Sequence, residues 1–149
     1  MDKGIARWLA VFALVWLAAF GGQAQRNFRS LSLSDGLSDL LVNEIYQDSR
    51  GFIWLGTETG LDRFDGNHIV RYPIKGDTRK SRRVRALIEG HDGDIYVGAN
   101  QGFYVLRPDA PALKPLFPEK IDFSVNALAA SPDGTLYLGT RHGHFPYNS

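Results

Sequence analysis

Four sets of side chains in this sequence have types and spacing that could support chemistry or binding. Asp62 and Asp65 are two carboxylates in one short stretch, the kind of pair that a glycoside hydrolase uses as acid and base. One strand and its turn would hold both, without the placement on opposite sides of a scissile bond that the reaction needs. His142 and His144 stand two apart, so an extended strand would put both on one face. His68 and His91 lie in other segments, and with no cysteine or clustered acid nearby a metal ligand set is not assembled. Asp48, Asp92 and Asp133 each sit near a glycine. No stretch alternates oxygen ligands up to a terminal glutamate as a calcium loop does, so they read as turn caps. The segment 75–85 carries Lys75, Arg79, Lys80, Arg82, Arg83 and Arg85 against Asp77 alone. A solvated loop accounts for such a charge run. Guanidinium forks aimed at an anionic ligand, such as a uronic or sulfated glycan, are the functional alternative, with Arg79, Lys80, Arg82 and Arg83 as its candidates. No catalytic, cofactor or metal residues are assigned, and no enzyme activity is expected of this chain.

The elements that would position these residues emerge from self-comparison. Segments beginning at Val42, Val84 and Val125 superimpose, with periods of 42 and 41 residues. Each carries three glycines at identical spacing: Gly51, Gly56 and Gly60, then Gly93, Gly98 and Gly102, then Gly134, Gly139 and Gly143. A turn former precedes the first glycine of each set, as Ser49-Arg50, His91-Asp92 and Pro132-Asp133, which suits a tight hairpin. An apolar strand follows, as Ile53-Trp54-Leu55-Gly56, Ile95-Tyr96-Val97-Gly98 and Leu136-Tyr137-Leu138-Gly139. Continuous apolarity over so few residues predicts a strand covered on both faces. Trp54, Tyr96 and Tyr137 could stack on sugars, but their fixed place in the repeat makes them core residues. The strand-closing glycines are expected where backbone runs close to the next repeat.

A period near 40 residues with glycine and aromatic marks is that of β-propeller blades, each a four-stranded antiparallel sheet. The fold class expected is therefore all-β, with blades at 42–83, 84–124 and a partial one at 125–149 after a lead-in at 25–41. His144-Phe145-Pro146-Tyr147 holds a proline that a central strand would not accept, so a regular third strand is not expected there. Three blades do not close a ring, and further blades are expected to complete it.

Lys3 and Arg7 precede an uncharged apolar run from Trp8 to Phe20. Small residues at Gly22 and Ala24 follow, so residues 1–24 read as a signal peptide cut between Ala24 and Gln25. The rival reading, a retained anchor, meets the difficulty that the run is shorter than the about 20 residues a bilayer requires. Losing Lys3, Arg7 and Asp2 from 17 basic and 16 acidic residues balances the formal charge. No global field then points to nucleic acid or an anionic membrane. Cysteine is absent, so packing alone must stabilise the fold.

Ser34-Asp35-Gly36-Leu37-Ser38, followed by the whole run from Val42 to Gly66, closely resembles the opening of two-component regulator propeller sensors. The resemblance extends over most of the chain after residue 24 and is strongest from Ser34 to Tyr72. It implies an extracytoplasmic, dimeric receptor anchored in the inner membrane, with propellers outside and a histidine kinase or diguanylate cyclase as output. It implies an oligosaccharide or other small extracellular ligand, and a segment 25–33 that adds a strand to the last blade. By that resemblance the chain is an N-terminal part of a sensing propeller. The alternative is a secreted propeller that serves as a protein-interaction module or enzyme scaffold.

Overall fold

The computed structural model describes residues 30–74, 82–117 and 123–148. The proposed cleavage point at Ala24 and Gln25, and the candidates Arg79 and Lys80, lie outside them. The described residues form three antiparallel sheets and no α-helix. Blade 1 runs β1 (Val42–Gln47), β2 (Ile53–Thr57), β3 (Gly60–Phe64) and β4 (Ile69–Pro73), paired in that order. Blade 2 repeats this as β5 (Val84–Glu89), β6 (Ile95–Ala99), β7 (Gly102–Leu106) and the short β8 (Lys114–Pro115). Blade 3 has β9 (Val125–Ala130), β10 (Leu136–Thr140) and β11 (Gly143–Tyr147). The first strands start at the three valines that open the sequence repeats.

The turn between the first two strands of each blade is made by a glycine in the left-handed region, with φ of 87° at Gly51, 77° at Gly93 and 91° at Gly134. A side chain there would be strained, which is why each turn former is followed by glycine. Beyond the turns, the strands alternate strictly between two neighbours. Tyr46 pairs with Trp54, Ile88 with Tyr96 and Ala129 with Tyr137. On the opposite faces Ile45 pairs with Leu55, Leu87 with Val97 and Leu128 with Leu138.

This alternation builds two cores. Trp54, Leu61 and Tyr72 of blade 1 pack with Leu87, Val97 and Tyr104 of blade 2. Tyr96, Phe103 and Val105 of blade 2 pack with Val125, Leu136 and Leu138 of blade 3. Aromatic rings meet within them, Trp54 with Tyr72 at 5.8 Å and Phe103 with Tyr147 at 5.5 Å, edge to face in the latter. Blade 2 is thus covered on both sides, and every residue of β6 and β7 is buried. Each fully buried aliphatic side chain contributes about 1.5–3 kcal/mol.

The blade junctions depend on two glycines. A Cβ on Gly56 would stand 2.6 Å from Val84 Cγ1, and one on Gly98 would stand 2.8 Å from Val125 Cγ1. Both valines are completely buried. The first residue of each following blade is therefore a knob seated on the glycine that closes the second strand of the blade before it.

Two expectations need correction. Tyr137 is not a core residue: it is 42% exposed, whereas Trp54 and Tyr96 are 1% and 2% exposed. The repeated position faces the following blade, and among the described residues none covers β10 on that side. Pro146 does lie in a strand, paired with Tyr137. β11 is an edge of its sheet, where a missing N–H donor costs least. In the lead-in, the strand expected over 25–33 falls mostly outside the described residues, while Leu33–Asp35 form a 3-10 turn. Its Ser32 and Asp35 close on each other as a capping box, and Gly36 ends it at a φ of 108°.

Candidate functional site

The lead-in that follows this turn is fastened to blade 1 by two oppositely charged residues. Asp62 on β3 and Arg71 on β4 are directly paired across the sheet. Asp62 Oδ2 accepts from the Ser38 backbone N–H at 2.7 Å and from the Ser38 hydroxyl at 2.8 Å. Arg71 donates from Nη2 to the Leu37 carbonyl at 2.9 Å and from Nε to that of Gly36. Thr57 lies 2.9 Å from the Ser38 hydroxyl and donates to the Gly60 carbonyl at 3.0 Å. A lead-in without regular pairing is held in this way by side chains that the strands present at fixed positions.

Asp62 is fully buried, and its Oδ1 has no hydrogen-bond partner. Burial raises its carboxyl above the ordinary value, and the Asp39 charge adds to the rise. The Ser38 hydrogen bonds and Arg71 act in the opposite sense without overcoming it. Beside this anchor opens a cleft of 340 Å³, lined among others by Ser38, Asp62, Arg71, Tyr72 and Arg82. It has a basic side, a buried acid and an aromatic ring, which suits a polar ligand rather than an apolar one.

Arg82 and Arg83, both candidates for an anionic ligand, part company here. Arg82 lines the cleft. Arg83 is engaged with Glu58, Nε to Oε1 at 2.6 Å, and Arg85 donates to Asn100. Asp62 and Asp65 do not form an acid–base pair. Asp65 caps its own turn, accepting from Asn67 and His68 N–H at 2.8 and 2.7 Å, and these bonds hold its carboxyl below the ordinary value. No group of three histidines, aspartates or glutamates able to hold a metal occurs among the described residues.

The turn aspartates do more than cap. Asp48 Oδ1 accepts from Arg50 and Phe52 N–H at 3.0 and 2.9 Å, while Oδ2 accepts from Trp54 Nε1 at 2.9 Å. In blade 2 the matching position is Gly90, and the carboxylate comes instead from Asp92, which accepts from the Tyr96 hydroxyl at 3.0 Å. A Cβ on Gly90 would lie 2.6 Å from both Asp92 Oδ1 and the Tyr96 ring. Two repeats thus satisfy a buried aromatic with an acid from different positions, and glycine makes the second arrangement possible. Burial, then the Asp92 hydrogen bond, raise the Tyr96 hydroxyl far above its ordinary value. This coupling of turn acid to core aromatic was not visible in the sequence, because Asp48 and Asp92 do not align. Blades are also tied at their turns, where Ser49 donates from N and Oγ to Glu89, both at 2.7 Å.

Consecutive antiparallel sheets, each packed face to face on the next through a valine seated on a glycine, define the class as β-propeller blades. Residues 36–59 match the two-component regulator propeller family. That match spans the end of the lead-in, β1, the Gly51 turn and β2. The chain is 44% identical over 45 residues to histidine kinase P4 of Formosa agariphila, an alignment covering 30% of this chain and 3% of that kinase. Its fold is similar to extracellular domains of two-component systems of B. thetaiotaomicron. One structure of the BT4673 domain, described as a one component system, has a TM-score of 0.74 at 20% identity, covering 85% of this chain and 18% of that one. The BT3049 domain has a TM-score of 0.61 at 20% identity, covering 80% of this chain and 20% of that one. The chain therefore spans a small part of the relatives it matches.

Proposed function

We propose that this chain is part of the extracytoplasmic sensing propeller of a two-component receptor, and that it takes part in binding an oligosaccharide rather than in catalysis. The observation that carries this reading is that the stretch matching the regulator-propeller family supplies the anchored end of the lead-in, Gly36 to Ser38, and the first two strands of blade 1. The 44% identity to a histidine kinase over 45 residues supports the same class of parent. The cleft beside Asp62, with Arg82 and Arg71 on its walls, supplies cationic forks and a buried acceptor of the kind that hold an acidic sugar. Kinase or cyclase activity would belong to a parent receptor and not to these residues.

The test is calorimetric titration of the purified chain, and of any longer receptor that includes it, with oligogalacturonate and with a neutral cello-oligosaccharide. Binding of the acidic oligomer, weakened by Arg82→Ala, supports the reading, and the same affinity for wild type and variant would remove Arg82 from it. Heat from neither sugar would remove the oligosaccharide. Expression from Met1 in a Gram-negative host should deliver a periplasmic product that begins at Gln25. N-terminal sequencing that finds Met1 on a cytoplasmic product would contradict export.

A further inference from the structure

Away from the cleft, blade 1 holds a guanidinium whose donors the described residues do not use. Arg63 follows Asp62 on β3, so the two side chains point to opposite faces of the sheet. In register it lies between Trp54 of β2 and Val70 of β4. Its guanidinium carbon stands 4.6 Å from the centre of the Phe52 ring, 5.9 Å from that of Trp54 and 6.0 Å from that of Tyr72. Contact with rings attracts a cation and steadies it, but it satisfies none of the N–H donors. Arg63 Nε is buried without a partner. Among the described residues Arg63 makes no hydrogen bond or ion pair, and its two Nη groups reach the surface.

The repeat does not call for this cation. The matching position of blade 2 is Val105, a buried member of the second core, and that of blade 3 is Pro146. Nor is its charge balanced by a neighbour. Arg50 reaches the same Phe52 ring at 5.4 Å, but its Nη2 lies 3.5 Å from Asp48 Oδ2. Asp48 also accepts from the N–H groups of Arg50 and Phe52 and from Trp54 Nε1. The acid that contacts this cluster is thus committed to Arg50 and the core, and Arg63 keeps one uncompensated charge. We propose that Arg63, held against Phe52, Trp54 and Tyr72, is a binding site for the carboxylate of a small ligand. Its Nη pair donates two parallel hydrogen bonds to the two carboxylate oxygens. A single positive charge matches a carboxylate monoanion better than a phosphate dianion. The site is separate from the cleft, which Leu61 and Asp62 line and Arg63 does not, and it does not depend on the sugar reading made there.

Proton–nitrogen correlation spectra of the full chain read the site directly, because the buried Arg63 Nε–H and the Trp54 indole N–H each give a separate signal. Contacts to the Phe52 ring protons identify the Arg63 resonance. The probes are acetate and galacturonate, with galactose, inorganic phosphate and sodium chloride beside them at matched ionic strength. Both carboxylates should shift the Arg63 Nε–H saturably, and galactose and chloride should not. Tighter binding of galacturonate than of acetate would support the site and assign it to sugar acids, whereas equal binding would support it for simple organic acids. In Arg63→Lys the indole signal remains as reporter, and affinity for acetate should fall about tenfold or more, since lysine has no paired donors. No saturable shift with either acid would overturn the proposal, as would a shift confined to the Ser38 amide in the cleft. So would tighter binding of phosphate, or an unchanged affinity in Arg63→Lys. The wild-type titration decides the matter by itself if that variant fails to fold.

Discussion

Asp62 shows how a single residue can be costly to bury and still retained. Its Oδ2 holds Ser38 through two hydrogen bonds while its Oδ1 lies buried without a partner, a combination in which the charged form is under-solvated. A carboxyl raised above its unfolded value binds its proton more tightly in the native state, so its contribution to stability is complete below the unfolded pKa, near 4. That contribution is lost as pH rises through the raised native value. Exposed Asp65 and Asp133 are shifted the other way, so the comparison of variant with wild type isolates Asp62. Asp62→Asn should abolish a loss of stability that the wild type suffers from about pH 4 upward. Urea midpoints measured from acid to neutral pH would check this, and parallel curves for the two proteins would assign the pH dependence elsewhere.

At the scale of the element, the second strand of each blade is apolar throughout because neighbours lie on both sides, and its closing glycine sets how near the next blade can come. Gly56→Val would place a branched side chain where Val84 Cγ1 already stands 2.6 Å from a bare Cβ. Overpacking of this kind costs about 1–3 kcal/mol. Arg82→Ala removes a side chain at the rim of a cleft, and a surface change of that sort should stay within about 0.5 kcal/mol. Thermal melts of the two variants should therefore rank Gly56→Val well below Arg82→Ala. The reverse order would mean that Gly56 is not a junction seat.

The described blades form a short stack in which stability depends on neighbours. Blade 2 has a neighbour on each face, whereas β9 and β11 carry mostly exposed residues. Hydrogen exchange should accordingly protect the amides of β6 and β7 most strongly and those of β11 least, with β2 between them. Uniform protection across the three sheets would show that they unfold as one unit.

The repeat was legible in the sequence because glycine at a left-handed turn and glycine under a neighbouring valine are both positions where no other residue fits. Their spacing therefore records the blade, and Val42, Val84 and Val125 mark its first strand to the residue. The buried state of Trp54 and Tyr96 followed from the same pattern, but the exposure of Tyr137 did not. Periodicity reports that a position faces a neighbour and does not say whether that neighbour is present. The strand through Pro146 depended on its place at a sheet edge, which pairing order decides. The anchor was likewise hidden, since Ser38, Asp62 and Arg71 are far apart along the chain and are brought together only when β3 and β4 pair beneath the lead-in. Local conformational demands are written in residue type and spacing, whereas solvent exposure and long-range charge contacts come from which surfaces the folded sheets bring together.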